Sequence, residues 1–391
     1  LTGLAGAYLL LVMVLLMARI PALERAVGQD RLVRWHRRLG AWPIGLLVAH
    51  ALLITVGYAQ GARTGLLHQA YLLIRSYPDV LAAVVGLGLI LMAGVTSIRY
   101  ARSRMRYETW WAIHLYTYLA LALSFAHQIA NGASFVGHPL ATLVWSVVWA
   151  STAGVVILFR IGLPLWRTLF HSLRIVSVTP EGPGVVSIVC AGRAVDRLAL
   201  AGGQFFFWRF LTPGLWWHAH PYSVSALPRP PYLRVTIKGL GDHSAAIARL
   251  RPGTRVAIEG PYGAFTRHAA TSPKFLLVAA GVGVTPVRAL LEDLPSGADV
   301  SVVLRASSPE AMTLRSEMAA LVEARSGHLH ELYGDRHQVV IDPHALKDMV
   351  PDIAERDLYV CGPPGFTERV VRSAAILGVP ARQIHHEEFS F

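Results

Sequence analysis

The chain has 391 residues, enough for two or three domains; 53% of them are hydrophobic and only 15% charged. A formal charge of +12 at pH 7 suits nucleic acid at first sight, but many of the arginines flank apolar runs, where positive charge sets membrane topology, so no nucleic-acid partner is expected. The two cysteines, Cys190 and Cys361, form no CxxC motif, which excludes an iron–sulfur cluster or a Cys-rich zinc site built by this chain alone.

Residues 1–162 hold long apolar runs, whereas residues 173–391 read like a soluble protein. Five stretches are long and apolar enough to span a bilayer: 3–20, 37–59, 79–99, 109–130 and 139–161. Segment 21–38 carries Arg25, Arg31, Arg34, Arg37 and Arg38, with Arg19 just before it. Segment 99–107 carries Arg99, Arg102, Arg104 and Arg106, and Arg160 and Arg167 close the fifth stretch. Those three places fall on one side of five alternating spans, and the positive-inside rule makes that side cytoplasmic. Residue 1 then lies outside; the chain begins at Leu rather than Met, and an upstream helix would explain the topology. Residues 60–78, with Arg63, His68, Arg75 and Pro78, fall on the outer side, as do residues 131–138. They either roof an acceptor site or are ordinary connecting loops.

Residues 35–58, WHRRLGAWPIGLLVAHALLITVGY, place two imidazoles, His36 and His50, in an apolar helix. Fourteen helical residues rise about 21 Å, which sets the two rings near opposite faces of a membrane. Residues 110–130 repeat the design with His114 and His127. A lone buried His is more often a hydrogen-bonded core residue than a ligand. Two pairs at near-equal spacing on two spanning helices point instead to ligation of two hemes, each iron held by one His from each helix. His36 and His114 form the inner pair, His50 and His127 the outer. Fourteen residues bring His50 back within about 40° of His36, but thirteen leave His127 about 140° from His114. Either the second helix is locally distorted or the hemes are offset sideways. Trp42 either shortens the path between hemes or packs between helices. Arg37 and Arg38 either pair with heme propionates or act only as topology charges.

Residues 163–172 read as a short basic connector with Pro164. From Leu173 to about Arg267, short β-type runs broken by Gly and Pro (RIVSVTP, GVVSIVC, QFFFWRF, LRVTIKG, TRVAIEG) predict an antiparallel β-barrel. KFLLVAAGVGVTP then runs from a buried strand through a Gly-rich turn into a helix. DVSVVLRAS, HLHELYG and DLYVCGPPG follow as further strands between helical stretches. That alternation predicts a parallel, Rossmann-like α/β sheet with a nucleotide at its strand ends. The expected domains are 1–163, 173–268 and 269–391.

Three stretches of this half carry chemistry. His220-Pro221-Tyr222-Ser223-Val224-Ser225 offers an aromatic ring, a hydroxyl and exposed backbone for a flavin, although Pro-Tyr-Ser is also common turn chemistry. Lys238-Gly239-Leu240-Gly241-Asp242-His243-Ser244 precedes a helical stretch, and Ser244 at a helix N-terminus suits a pyrophosphate. Gly281-Val282-Gly283-Val284-Thr285-Pro286 follows a strand, and its glycines admit phosphate close to the backbone.

HPYSVS, GLGDHS, EGPYG, AGVGVTP and CGPPGF occur in the order found in ferredoxin–NADP reductase-type modules, and the upstream His pairs resemble the ferric reductase-type membrane domain. Together they resemble the NADPH oxidase and ferric reductase superfamily, in its compact bacterial form, over essentially the whole chain. The resemblance implies an all-α di-heme transmembrane bundle followed by a β-barrel FAD domain and an NADPH-binding α/β domain. Tyr222 and Ser223 would lie at the flavin ring, and Ser244 would cradle the FAD pyrophosphate with Lys238 where relatives often have Arg. His243 stands where eukaryotic oxidases have Trp. AGVGVTP would hold the NADPH pyrophosphate, and CGPPGF would place Cys361, with Gly362 and Pro363, beside the nicotinamide. Phe391 would stack on the flavin, behind the acidic pair Glu387 and Glu388; otherwise it is a frayed terminus.

Arg305 and Arg336 could grip a 2′-phosphate bidentately, favouring NADPH, or be ordinary surface arginines. The expected path runs from cytosolic NADPH through FAD, the inner heme and the outer heme to an acceptor outside a bacterial plasma membrane. Oxygen, giving superoxide, is favoured over a ferric chelate, although Ile54 stands where eukaryotic oxidases carry another His. An electron-donor subunit for a periplasmic partner is a different class of reading, and a non-redox membrane protein a third.

Overall fold

The computed structural model describes residues 1–217, 219–239, 246–247, 249–335 and 341–388. The chain divides into two compact units, 1–20 with 30–160, and 21–29 with 161–391.

The first unit is helical. It contains α1 (Thr2–Leu16), with α2 (Pro21–Val27) assigned to the second unit, then α3 (Gln29–Leu39), α4 (Ala41–Ala62) and α5 (Leu66–Ser76). α6 (Val80–Ser97), the short α7 (Arg99–Arg102), α8 (Tyr107–Asn131) and α9 (Pro139–Ile157) follow. Runs of Leu, Val, Ala and Ile that are apolar all round favour helices buried in lipid. Pro139 opens α9 at a position where its missing N–H costs nothing. Gly40 keeps right-handed helical torsions, so α3 runs almost straight into α4.

Three helical segments, Arg31–Ala62, Val80–Ser97 and Pro139–His171, are long and apolar enough to cross a membrane. The five expected spans therefore exist as helices, but two fall short on that measure. α1 has 15 residues, a length of about 22 Å against a hydrocarbon core of about 30 Å. α8 is long enough, but His114, Thr117, Ser124, His127 and Gln128 dilute its apolar surface. Segments 21–38 and 60–78, expected as loops, are largely helical as α2, α3 and α5. The expected 163–172 connector is also a helix, α10 (Leu163–His171), reached through a π turn at Leu158–Gly162.

α4 packs chiefly on α1, and α8 on α6. Small residues set those distances, as helix pairs in lipid require. A Cβ on Gly86 of α6 would stand 2.9 Å from the Ala120 carbonyl of α8, whereas one on Gly88 would meet nothing within 4 Å. Gly86→Leu is therefore expected to cost about 1–3 kcal/mol by overpacking, and Gly88→Leu little. Thermal midpoints of the two purified variants in detergent check this.

The second unit begins with two three-stranded antiparallel sheets. β1 (Arg174–Gly182), β2 (Val185–Ala191) and β5 (Tyr232–Lys238) form one, in the order β1-β2-β5. β3 (Phe205–Phe210), β4 (His220–Ser223) and β6 (Val256–Tyr262) form the other, in the order β4-β3-β6. Isolated bridges, Val224 to Val235 and Arg174 to Arg255, join them. The expected barrel is thus two sheets meeting at single bridges. Alternation along β3 turns Phe206, Trp208 and Phe210 into a core shared with Ile188, Val235 and Ile258.

A five-stranded parallel sheet follows: β7 (Lys274–Ala280), β8 (Asp299–Ala306), β9 (His328–Tyr333), β10 (Asp357–Gly362) and β11 (Ile384–Glu388), in the order β11-β10-β7-β8-β9. α11 (Val284–Asp293) and α12 (Arg315–Glu323) contribute to one apolar core of this sheet. α13 (Pro343–Met349) and α14 (Pro364–Ile376) contribute to a second. Cover on both faces explains the unbroken apolar runs FLLVAA and LYVCG. The strand order reverses between β7 and β10, so the carboxyl ends of those two strands form the crevice where such sheets bind ligands.

Candidate functional sites

In the helical unit, His36 lies in the last turn of α3, His50 in α4, and His114 and His127 in α8. The fold brings His36 and His114 together, with ring centroids 6.1 Å apart and planes at 70°. His36 Nδ1 donates to the Met13 carbonyl at 3.2 Å, which leaves Nε2 with its lone pair. The Trp110 ring stacks on His114 at 5.2 Å. The Nδ1 atoms of His114 and His127 are buried and have no hydrogen-bond partner among the described residues. His50 turns its ring edge, Nε2 included, against Gly3 of α1, where an added Cβ would come within 2.8 Å of that atom. α8 runs unbroken through both of its histidines, so the structure gives no local distortion to re-aim His127. Trp42 is 67% exposed and does not pack between helices. Arg37 and Arg38 are exposed.

In the second unit, two Gly-rich turns meet at the switch point. Gly281 takes a left-handed φ of 57° with nothing within 4 Å of its Cβ position. Gly283 sits so close to β10 that a Cβ would lie 2.2 Å from the Cys361 carbonyl. Thr285 closes the turn by donating its hydroxyl to Val282 O at 3.0 Å. Val284, Thr285 and Pro286 are buried at the start of α11, so this turn can offer a ligand backbone rather than side chains. Gly362 and Pro363 end β10 beside it, and Gly362 is pressed between Phe366 and Ala280. Cys361 is fully buried in the core, and burial together with nearby Glu387 pushes its thiol well up. The thiol is therefore enclosed rather than presented at the crevice. Glu387 pairs with Cys361 across β11 and β10 and reaches Gly263 of the EGPYG turn. Arg305, at the carboxyl end of β8, donates to Gly334 O at 3.2 Å.

The HPYSVS segment does three different jobs. His220–Ser223 is β4, with Tyr222 opposite Phe206 and Ser223 opposite Phe205. Trp208 Nε1 donates to Tyr222 O at 3.0 Å and fixes that backbone. Burial pushes the Tyr222 phenol up to about 12, so it stays protonated. Ser223 Oγ is buried with no partner among the described residues. Val224 is core, and Ser225 is fully enclosed, its Oγ accepting from Arg234 Nε at 3.1 Å and from the Thr236 hydroxyl at 2.8 Å. Both were expected to touch cofactor; they hold the strand instead. Pro221 and His220 are half-buried, and Lys238 is exposed at the end of β5. Gly241, Asp242, His243 and Ser244 lie outside the described residues, as do Arg336 and Phe391.

Sequence reasoning missed an ionic network beside β4. Arg234 donates bidentately to Glu317 at 2.7 and 2.8 Å, and Arg288 Nε donates to the same carboxylate at 2.8 Å. Glu292 accepts from Arg288, from Arg229 at 2.8 Å and from Leu227 N at 2.8 Å. Burial alone would raise the Glu317 carboxyl, but hydrogen bonds and charge from Arg234 and Arg288 hold it below the usual range. Glu292 is held low in the same way, against burial, by Leu227 N–H, Arg288 and Arg229. A depressed carboxylate stabilises the fold above its unfolded pKa of about 4.3, and that contribution fades as pH falls through the lower folded value. Glu317→Gln is expected to cost about 2 kcal/mol at pH 7 and to flatten the acid limb of the stability curve. Urea unfolding from pH 7 down to 3 measures both.

The family described as "Ferric reductase like transmembrane component" matches residues 2–125. "FAD-binding domain" matches residues 174–266 and "Oxidoreductase NAD-binding domain" residues 277–372. A flavohemoprotein of Xylella fastidiosa is 27% identical over 241 residues, 57% of this chain and 59% of that protein. An "NADPH oxidoreductase" of Mycobacterium tuberculosis is 28% identical over 238 residues, 58% of this chain and 62% of that protein. The matches thus span about three-fifths of each relative. A crystal structure of flavohemoglobin from Malassezia yamatoensis, 18% identical with a TM-score of 0.50, covers 99% of this chain and 95% of its own, a likeness of fold alone. A ferric reductase-like transmembrane component joined to an FAD-binding and then a NAD-binding domain is the NADPH oxidase and ferric reductase-type architecture, and this chain has it.

Proposed function

We propose that this protein moves electrons from cytosolic NADPH, with FAD and two b-type hemes as carriers, across the plasma membrane to oxygen outside. In balance, one NADPH and two O2 give NADP+, one proton and two superoxide ions. When bound, FAD would convert the electron pair of a hydride into single electrons and the hemes would pass them on. The observation that carries the reading is the His36–His114 pair. His36 and His114 are the residues that would hold the inner heme. The rings stand at 6.1 Å, and His36 is oriented by the Met13 carbonyl.

The other residues would take these roles. His50 and His127 would hold the outer heme. Tyr222 and Ser223 would lie against the flavin, with the Ser223 hydroxyl, which has no partner among the described residues, available to it. The backbone of the Gly281–Gly283 turn and the N-terminus of α11 would bind the NADPH pyrophosphate. Arg305 would steady the edge of that site through Gly334. Two imidazoles per iron leave no open position, so oxygen would be reduced by outer-sphere transfer.

An absorption spectrum of the purified protein before and after anaerobic NADPH tests the path: a Soret band that shifts on reduction is expected, and a colourless protein would end the proposal. Cytochrome c reduction sensitive to superoxide dismutase tests the acceptor. Its absence alongside ferric-chelate reduction would reassign it.

A further inference from the structure

The turn joining β3 to β4 presents an apolar surface that no step above uses. Trp216 and Trp217 stack on each other with centroids 3.9 Å apart, yet are 48% and 66% exposed. The turn is not slack. Leu215 N and Trp216 N both donate to Thr212 O, at 3.1 and 3.2 Å, and Leu215 is buried in the core below. Holding two indoles outward on a rigid turn costs apolar exposure, which monomeric soluble surfaces avoid. Leu211, exposed as well, begins the turn. A shallow groove of about 340 Å³ separates residues 212–215 from Arg249, and Arg251 is exposed two residues on.

We propose that the 211–217 turn is a membrane-interface anchor, seated in the headgroup region of an anionic phospholipid bilayer. Tryptophan is the side chain most at home there, with its ring among acyl carbons and its N–H among headgroups. Arginines alongside supply attraction to anionic lipid. The chain passes from the apolar helix α9 into this unit at Ile161, so the unit is tethered to whatever bilayer the helices span. The turn lies just before β4, so seating it would steady the strand proposed to hold the flavin. This consequence rests on the proposed electron path; the seating itself rests only on the helical unit spanning a membrane.

The test uses the full chain in vesicles of phosphatidylcholine with phosphatidylglycerol. Cys190 and Cys361 are both buried, so an environment-sensitive fluorophore on Trp217→Cys reports from that site alone. Ile376→Cys, on an exposed position of α14, is the aqueous reference, and Leu53→Cys on α4 is the lipid reference. The Trp217 label is expected to be quenched by headgroup-proximal spin-labelled lipid and shielded from iodide, more so as the anionic fraction rises. Iodide quenching equal to that at Ile376 overturns the proposal, and so does shielding from both quenchers, which would mean protein cover. A Leu53 label that escapes lipid quenching overturns the membrane-spanning reading itself, a distinguishable failure. The double variant Trp216→Ser, Trp217→Ser is expected to slow delivery of NADPH electrons to the acceptor several-fold while flavin reduction by NADPH stays unchanged. Equal loss of both assigns the pair a folding role and overturns the anchor.

Discussion

On the proposed path, His114→Leu is expected to empty the inner heme site and stop transmembrane electron flow while sparing the flavin half of the reaction. His114 meets His36 at 6.1 Å, and leucine offers no lone pair in its place. Replacing even the outer partner of a metal-bound His typically costs about 10–100-fold, so losing the ligand itself should exceed the upper figure in NADPH-driven reduction of an external acceptor. Heme per protein should fall by about half, because His50 and His127 sit on other turns of α4 and α8. Reduction of a soluble dye by NADPH should persist, since the residues for it lie in the second unit. The two measurements are heme content by the reduced-minus-oxidised spectrum and the ratio of external to dye-coupled turnover. His114→Leu with an unchanged spectrum and unchanged turnover would remove the imidazole pair from the path.

Histidines in apolar helices were readable because charge and imidazole are costly in lipid, and helical rise converts their spacing into depth. Their mutual approach was not, because packing of α4 on α1 and α8 on α6 decides it. The switch-point turns were equally plain: AGVGVTP and CGPPGF end buried apolar runs, the pattern of a parallel sheet covered on both faces. β11 escaped notice because Ile384–Glu388 is almost entirely polar, as an edge strand can be. α2, α3 and α5 were hidden for the same reason, their charged or mixed sequences resembling loops between spans. The motif HPYSVS reads as one block, yet Ser223 lies in β4 with its hydroxyl unused among the described residues and Ser225 two residues on belongs to the Arg234–Glu317 network. No local signal separates them, since Arg234 and Glu317 are 83 residues apart and only the folded chain joins them. Strand spacing likewise gave the β-strands but not their closure, which depends on the two bridging pairs at Val224 and Arg174.

Gly283→Val is expected to abolish flavin reduction by NADPH while leaving FAD bound. Gly283 has ordinary helical torsions, φ −60° and ψ −10°, so glycine is required there for space and not for backbone freedom. A Cβ would stand 2.2 Å from the Cys361 carbonyl oxygen, 2.6 Å from its carbon and 2.9 Å from Gly362 N. All three are main-chain atoms of the β10 end and cannot rotate aside, so the β7–α11 turn must lift away. That motion displaces the N–H groups proposed to hold the NADPH pyrophosphate and pulls Val284 and Val287 out of the core, at a cost of about 3 kcal/mol or more. Gly281→Ala makes the contrast. Its left-handed φ strains an alanine by about 1–2 kcal/mol, but nothing lies near its Cβ, so the turn keeps its seat. Anaerobic rapid mixing with NADPH should show flavin bleaching at least 100-fold slower for Gly283→Val and within about tenfold of the parent for Gly281→Ala, a difference of more than about 1.4 kcal/mol. Near-equal rates in the two variants would mean that the close seat of this turn on β10 has no part in nucleotide binding.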